Sequence, residues 1–160
     1  MSSDASGFDR PHTADTGPVS YAIFALARVH RAHAASLLRD LGLHPGQELL
    51  IMRLLDRDGQ TQSELLDTVG LDHSTVSKSL RRMQDAGLVT RTPAEHDRRV
   101  MHVHLTDRAK ALRQPIAEIW ATLEALTIAD LPPDELERFT NTAAALLRIL
   151  ERRAAPESGH

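Results

Sequence analysis

The 160-residue chain is expected to be mainly helical, with six helices interrupted once by a short β-hairpin. Three observations lead there. Apolar residues recur at three- and four-residue spacing over most of the length, the signature of helices with one buried face. Met101, Val103 and Leu105 alternate with Val100, His102 and His104, the signature of a half-buried strand. Aromatic residues are only 3% of the chain while hydrophobic residues are 41%, so the core must be aliphatic, which suits packed helices.

The elements follow in order. Residues 1–18 hold Ser, Asp, Gly, Pro and Thr around one large apolar residue, Phe8, and read as a flexible arm. Over 19–41, Ile23, Leu26, Ala27, Ala34, Leu37, Leu38 and Leu41, with His30 at a matching position, form a helical stripe, and Gly42 supplies the stop. A second helix is expected near Pro45, whose missing N–H costs nothing at a helix start. It carries Leu49, Leu50, Met52, Leu54 and Leu55 and ends before Gly59. A short helix at 62–68 carries Leu65, Leu66 and Val69 inward, and Gly70 makes the turn that follows. Asp72 then caps a helix with a buried stripe of Val76, Leu80 and Met83, ending at Gly87. Strands are expected at 88–92 and 100–105, joined by the polar run Pro-Ala-Glu-His-Asp-Arg. Thr106 opens a long helix reaching about Leu126, which Pro115 should kink or loosen by one turn. Leu131-Pro132-Pro133 breaks the chain. A last helix, about 134–153, lines up Leu136, Phe139, Ala143, Leu146, Leu147 and Leu150, and residues 154–160 read as a flexible tail. Residues 19–153 thus read as one domain, with helices at 19–41 and 107–153 flanking a lobe at about 45–105.

Composition narrows the function. There is no cysteine, which removes disulfides, thiolate metal sites and thiol redox chemistry. No run approaches the roughly 18 apolar residues of a membrane span, and the N-terminus lacks a signal pattern, so a cytoplasmic protein is expected. No glycine-rich phosphate loop or nucleophile motif occurs, and Glu64 and Asp67 share a helix with no pocket around them, so no enzyme is expected. The net charge of -3 does not advertise a nucleic-acid binder; the argument must rest on where the cations lie.

They lie in the block 61–105: helix, tight turn, helix, then a hairpin with a charged tip. That order is a helix-turn-helix followed by a wing, and in such a motif the second helix enters the major groove. With Val76, Leu80 and Met83 inside, a step of 100° per residue turns Ser74, Lys78, Arg81 and Asp85 outward, with Thr75, Ser77 and Arg82 on the flanks. Hydroxyls sit near the N-terminus and cations further along, both suited to base edges and phosphates. From Lys78 to Arg99 there are six basic residues (78, 81, 82, 91, 98 and 99) against three acids, Asp85, Glu95 and Asp97. At the hairpin tip Asp97, Arg98 and Arg99 are adjacent. A long cation there can enter the minor groove, where the potential is most negative, and the neighbouring carboxylate can hold it extended.

The segment Ser63–Arg91, followed by His96–Thr106, resembles the MarR (multiple antibiotic resistance regulator) family. The resemblance rests on Gly87-Leu88-Val89 after the recognition helix, Asp97-Arg98-Arg99 in the wing and Leu105-Thr106 opening the next helix. It is specific over about 61–110, and the flanking helices agree in order and length; Ala109 stands where many members have Gly. The resemblance implies a winged helix-turn-helix with six helices and a two- to three-stranded wing, dimerising through its N- and C-terminal helices. It implies a homodimer on a pseudo-palindromic operator in double-stranded DNA, usually as a repressor, with Arg99 as the wing arginine and Asp97 as its holder. The dimer also follows from the terminal helices, whose apolar stripes exceed what a small core can cover. Pairing them would set two recognition helices one duplex turn apart, roughly 34–36 Å.

The resemblance further implies a pocket between the dimer helices and the DNA-binding lobe, often for small aromatic acids. His30, His33 and Trp120 are the candidates to line it, the histidines as an i, i+3 pair on one helix face. No cofactor is required. Nine histidines are many for this length, and some relatives in the family sense zinc, so a zinc-responsive repressor is one alternative. No ordinary spacing such as HExxH occurs, and the metal ligands stay unassigned. The other alternative is a winged-helix protein–protein interaction module that does not bind DNA. Such a module would have no use for Lys78, Arg81, Arg98 and Arg99 together.

Overall fold

Why the helices begin and end where they do is settled mostly by local hydrogen bonds. The structure is a computed structural model and describes residues 11–154. A 3-10 turn at His12–Thr16 precedes α1 (Pro18–Arg39), α2 (Gln47–Asp56), β1 (Gln60–Thr61), α3 (Gln62–Val69) and α4 (His73–Asp85). Then come β2 (Val89–Pro93), β3 (Met101–Leu105), α5 (Asp107–Lys110), α6 (Arg113–Ile128) and α7 (Pro133–Ala154). Part of the arm expected at 1–18 therefore has regular structure. Phe8, and the tail beyond Ala154, lie outside the described residues.

Helix α3 starts with a reciprocal cap. The Thr61 hydroxyl accepts from the Glu64 N–H at 3.2 Å, and the Glu64 carboxylate accepts from the Thr61 N–H at 2.7 Å. Asp72 caps α4 as expected, accepting from the Thr75 N–H at 2.9 Å. The other end of α4 closes on Gly87, whose φ of +69° lets the Leu88 N–H reach back to the Met83 carbonyl at 2.8 Å. The Arg108 guanidinium donates to the Ala86 carbonyl at 2.7 Å and covers the same terminus.

One expectation needs correction, and the interruption expected at Pro115 is present. Helix α2 begins at Gln47, two residues after Pro45, with Gly46 at the cap position. The Gln47 side chain accepts from the His44 N–H and the Glu48 carboxylate from the Gly46 N–H, at 3.0 and 2.8 Å. This pulls two polar side chains into the interior, where Gln47 and Glu48 are buried. The helix expected from Thr106 is divided, α5 from α6, at Ala111–Leu112. Pro115 explains the position: in an unbroken helix it would have no N–H to give the Ala111 carbonyl, and its ring would clash with that carbonyl. As the third residue of α6 it occupies a first-turn position, where no intrahelical bond is lost.

The sheet is antiparallel in the order β1-β3-β2, with Gln60 opposite Val103 and Val89 opposite Leu105. Its inner side joins one aliphatic core with Leu50, Ile51 and Leu54 of α2, Leu65 of α3, Val76, Leu80 and Met83 of α4, and Ile116 of α6. Each fully buried side chain of this size contributes about 1.5–3 kcal/mol. The described chain forms two compact units, divided after Ala121. In the first, Leu38 is the buried residue of α1, while Val19, Ile23, Phe24 and Leu26 are exposed. In the second, α7 has no buried residue, and Phe139, Leu147, Ile149 and Leu150 are exposed.

Candidate nucleic-acid interface

Helix α4 divides cleanly into two faces. Val76, Leu80 and Met83 are 0% exposed. Ser74, Lys78, Arg81, Arg82 and Asp85 are exposed on the opposite side, and Thr75 and Ser77 are half-buried at its edges. The three cations make no ion pair or side-chain hydrogen bond among the described residues, so their charge is available to a partner. Arg91, the fourth of the six basic residues, is tied back to α4 through a 2.7 Å bond from its Nε to the Gln84 side chain.

The hydroxyls are not free in the same sense. Thr75 Oγ1 donates to Asp72 Oδ2 at 2.5 Å, in addition to the backbone cap. These bonds, the Thr75 hydroxyl first, hold the Asp72 carboxyl down at about 2, so it is ionised at neutral pH. Ser77 Oγ accepts from the Gln62 side-chain amide at 2.6 Å. Its own proton stays free to be given outward. Glu64, weighed in sequence as half of a carboxylate pair, is engaged by the Thr61 N–H and by Arg57 at 2.8 Å, a structural role.

The wing tip corrects one reading. Asp97 was expected to hold the Arg99 side chain extended. Instead its carboxylate accepts from the Arg99 backbone N–H at 2.9 Å, and its carbonyl accepts from the Val100 N–H at 3.0 Å. The carboxylate shapes the turn, because the main-chain N–H two residues on is within reach of a short side chain. No ion pair joins Asp97 to Arg98 or Arg99 among the described residues, and both arginines are exposed at the tip.

The base of the wing is clamped by residues that sequence reasoning missed. Asp58 Oδ1 accepts from the Leu105 N–H at 2.8 Å, and Oδ2 lies 3.5 Å from His104 Nδ1. His102 Nδ1 donates to the Gly59 carbonyl at 2.8 Å, and His104 Nε2 lies 3.3 Å from the Thr92 hydroxyl. His102 and His104, two residues apart on β3, therefore bolt the α2–β1 loop to the central strand. The signal available was the pair of histidines two residues apart; their partner, more than forty residues earlier, was not visible.

The effector candidates lie elsewhere. His30 is half-buried and His33 exposed on α1, and Trp120 is 38% exposed on α6. Among the described residues no group of three or more His, Asp and Glu is placed to hold a metal ion.

A short helix, a turn, a helix with a polar outward face and a three-stranded wing define a winged helix-turn-helix protein. Residues 41–100 match the model of the MarR family. The HTH-type transcriptional regulator MgrA of Staphylococcus aureus is 24% identical over 127 residues, 79% of this chain and 85% of that protein. A MarR transcriptional regulator from Methanosarcina mazei superimposes with a TM-score of 0.75 at 25% identity, covering 84% of this chain and 96% of that one. The S. aureus MepR–DNA complex gives a TM-score of 0.74 at 21% identity, covering 81% and 96%. In sequence over these residues, and in fold, the chain is similar to MarR-family regulators.

Proposed function

We propose that the protein is a sequence-specific DNA-binding transcriptional regulator, a homodimeric repressor on a pseudo-palindromic operator, released by a small-molecule effector. One observation carries the reading. The exposed face of α4 presents Ser74 and the cations Lys78, Arg81 and Arg82, unpaired among the described residues, and the wing tip exposes Arg98 and Arg99. Phosphate neutralisation supplies affinity and base-edge contacts supply selectivity, and this surface holds residues for both. A solved structure with the same fold, MepR, is a complex with DNA.

The dimer is supported by the exposed apolar side chains of α1 and α7, which lose their contact with water when two copies pair. A regulator of this kind works in the cytoplasm; no described helix is long and apolar enough to cross a membrane. For release, His30 or His33 would pair with a carboxylate and Trp120 would stack on a ring, matching a small aromatic acid. Such a ligand acts only by its preference for a dimer whose recognition helices no longer fit the operator.

The test is selection of a randomised duplex pool by the purified protein, followed by a salt titration on the winner. An enriched inverted repeat, with a log–log salt slope of roughly -0.9 per neutralised phosphate, supports the reading. No enrichment, with or without added zinc, refutes it and leaves the interaction-module alternative.

A further inference from the structure

We infer that Thr75 reads the DNA as a hydrogen-bond acceptor only, because Asp72 fixes the direction of its hydroxyl proton. The inference rests on the DNA-binding reading above and adds which base edges this position can select.

The chemistry is constrained. A threonine hydroxyl has one proton to give and lone pairs to accept with. Here the proton goes to Asp72 Oδ2 at 2.5 Å. An ionised carboxylate has no proton to return, so the bond cannot reverse. The side chain turned to a partner consists of lone-pair density on Oγ1 and a methyl group. Thr75 shares a face with Lys78 and Arg82, three and seven residues on, and so borders the basic stripe. In the major groove, amino groups on adenine N6 and cytosine N4 can donate to such an acceptor. Guanine O6 and N7 and thymine O4 cannot. Asp72 is then a positioning residue for readout, beyond capping the helix. Ser77, on the other flank, has the opposite polarity: it accepts from Gln62 and keeps its proton to give.

The geometry also supplies a reversal. In Asp72→Asn, the oxygen must stay on the Thr75 N–H, because an amide NH2 cannot accept there. The NH2 then falls beside Thr75 Oγ1 and donates to it, freeing the hydroxyl proton to point outward. Asn caps a helix as well as Asp does, so the fold is kept.

The experiment compares base-preference profiles of the full-length wild type, Asp72→Asn and Thr75→Val from the same randomised duplex pool, with thermal unfolding as the check on folding. The wild type should prefer adenine or cytosine at one position of each half-site, by about tenfold for a hydrogen bond of ordinary strength. Asp72→Asn should move that preference to guanine or thymine, over and above any uniform gain from removing a negative charge. Thr75→Val should erase it at the same position. Folded variants with the wild-type profile, changed only in overall affinity, would overturn the inference while leaving the DNA-binding reading intact. A wild type that enriches nothing would overturn both. A purely structural cap would move the unfolding temperature and leave the profile alone.

Discussion

Gly59→Ala tests the clamp at the base of the wing. Gly59 has a φ of +75°, and a Cβ built there would lie 2.9 Å from Cε1 of His104. Two costs add. An L-residue in the left-handed region costs about 1–2 kcal/mol. The imidazole must also move, which breaks its approach to Asp58 at 3.5 Å and to the Thr92 hydroxyl at 3.3 Å. These are partly exposed contacts, together worth about 1 kcal/mol. The sum is about 2–3 kcal/mol, or a fall of roughly 4–12 °C in unfolding midpoint for a chain of this size. The assay is thermal unfolding followed by circular dichroism at fixed protein concentration, on a cycle of wild type, Gly59→Ala, His104→Ala and the double variant. In the His104→Ala background only the backbone cost should remain, so Gly59→Ala should cost about 1 kcal/mol less there than in the wild type. A Gly59→Ala midpoint within 1 °C of wild type, equivalent to about half a kcal/mol or less, would refute the whole account. Equal costs in both backgrounds would refute the steric half of it.

Four further outcomes are expected. Arg99→Ala should weaken operator binding by about 1–3 kcal/mol if the wing enters the minor groove, measured by titration of labelled duplex; unchanged affinity removes Arg99 from the interface. Lys78→Gln should reduce the salt slope by about one unit or relax one operator position, and neither effect would place Lys78 off the DNA. The Glu64 carboxyl is held down to about 2, first by the Thr61 N–H and then by Arg57, against 4.5 for the free side chain. Its contribution to stability is complete above pH 4.5 and lost as pH falls toward 2, so the gap in midpoint between wild type and Glu64→Gln should be open at pH 7 and closing by pH 3. Glu48 behaves oppositely: burial pushes its carboxyl up, so its cost appears as pH rises above 4.5. Glu48→Gln can still accept from the Gly46 N–H and should raise the midpoint at pH 8 but not at pH 4; a lowered midpoint at pH 8 would show that the buried charge is needed.

What was legible from sequence is what neighbours along the chain decide. Asp72 and Thr106 could be recognised as caps because their bonds span three residues. The stripe Val76, Leu80 and Met83 was legible because a helix repeats every 3.6 residues, and the outward side with Lys78 and Arg81 followed by elimination. The interruption near Pro115 followed from a missing N–H. By contrast, β1 is two residues long and exists only because β3 offers it a pairing edge. Gln47 and Glu48 look like surface residues in sequence, yet local caps turn them inward. The direction of Thr75's proton and the use of Asp97 on a main-chain N–H are choices between partners of equal sequence distance, and local geometry made them. The Asp58, Gly59, His102 and His104 clamp joins residues more than forty positions apart, at ranges of 2.8–3.5 Å. Periodicity and capping report the path of one helix or strand; a hydrogen bond between distant segments depends on ångström-scale approach, which only the packed tertiary structure decides.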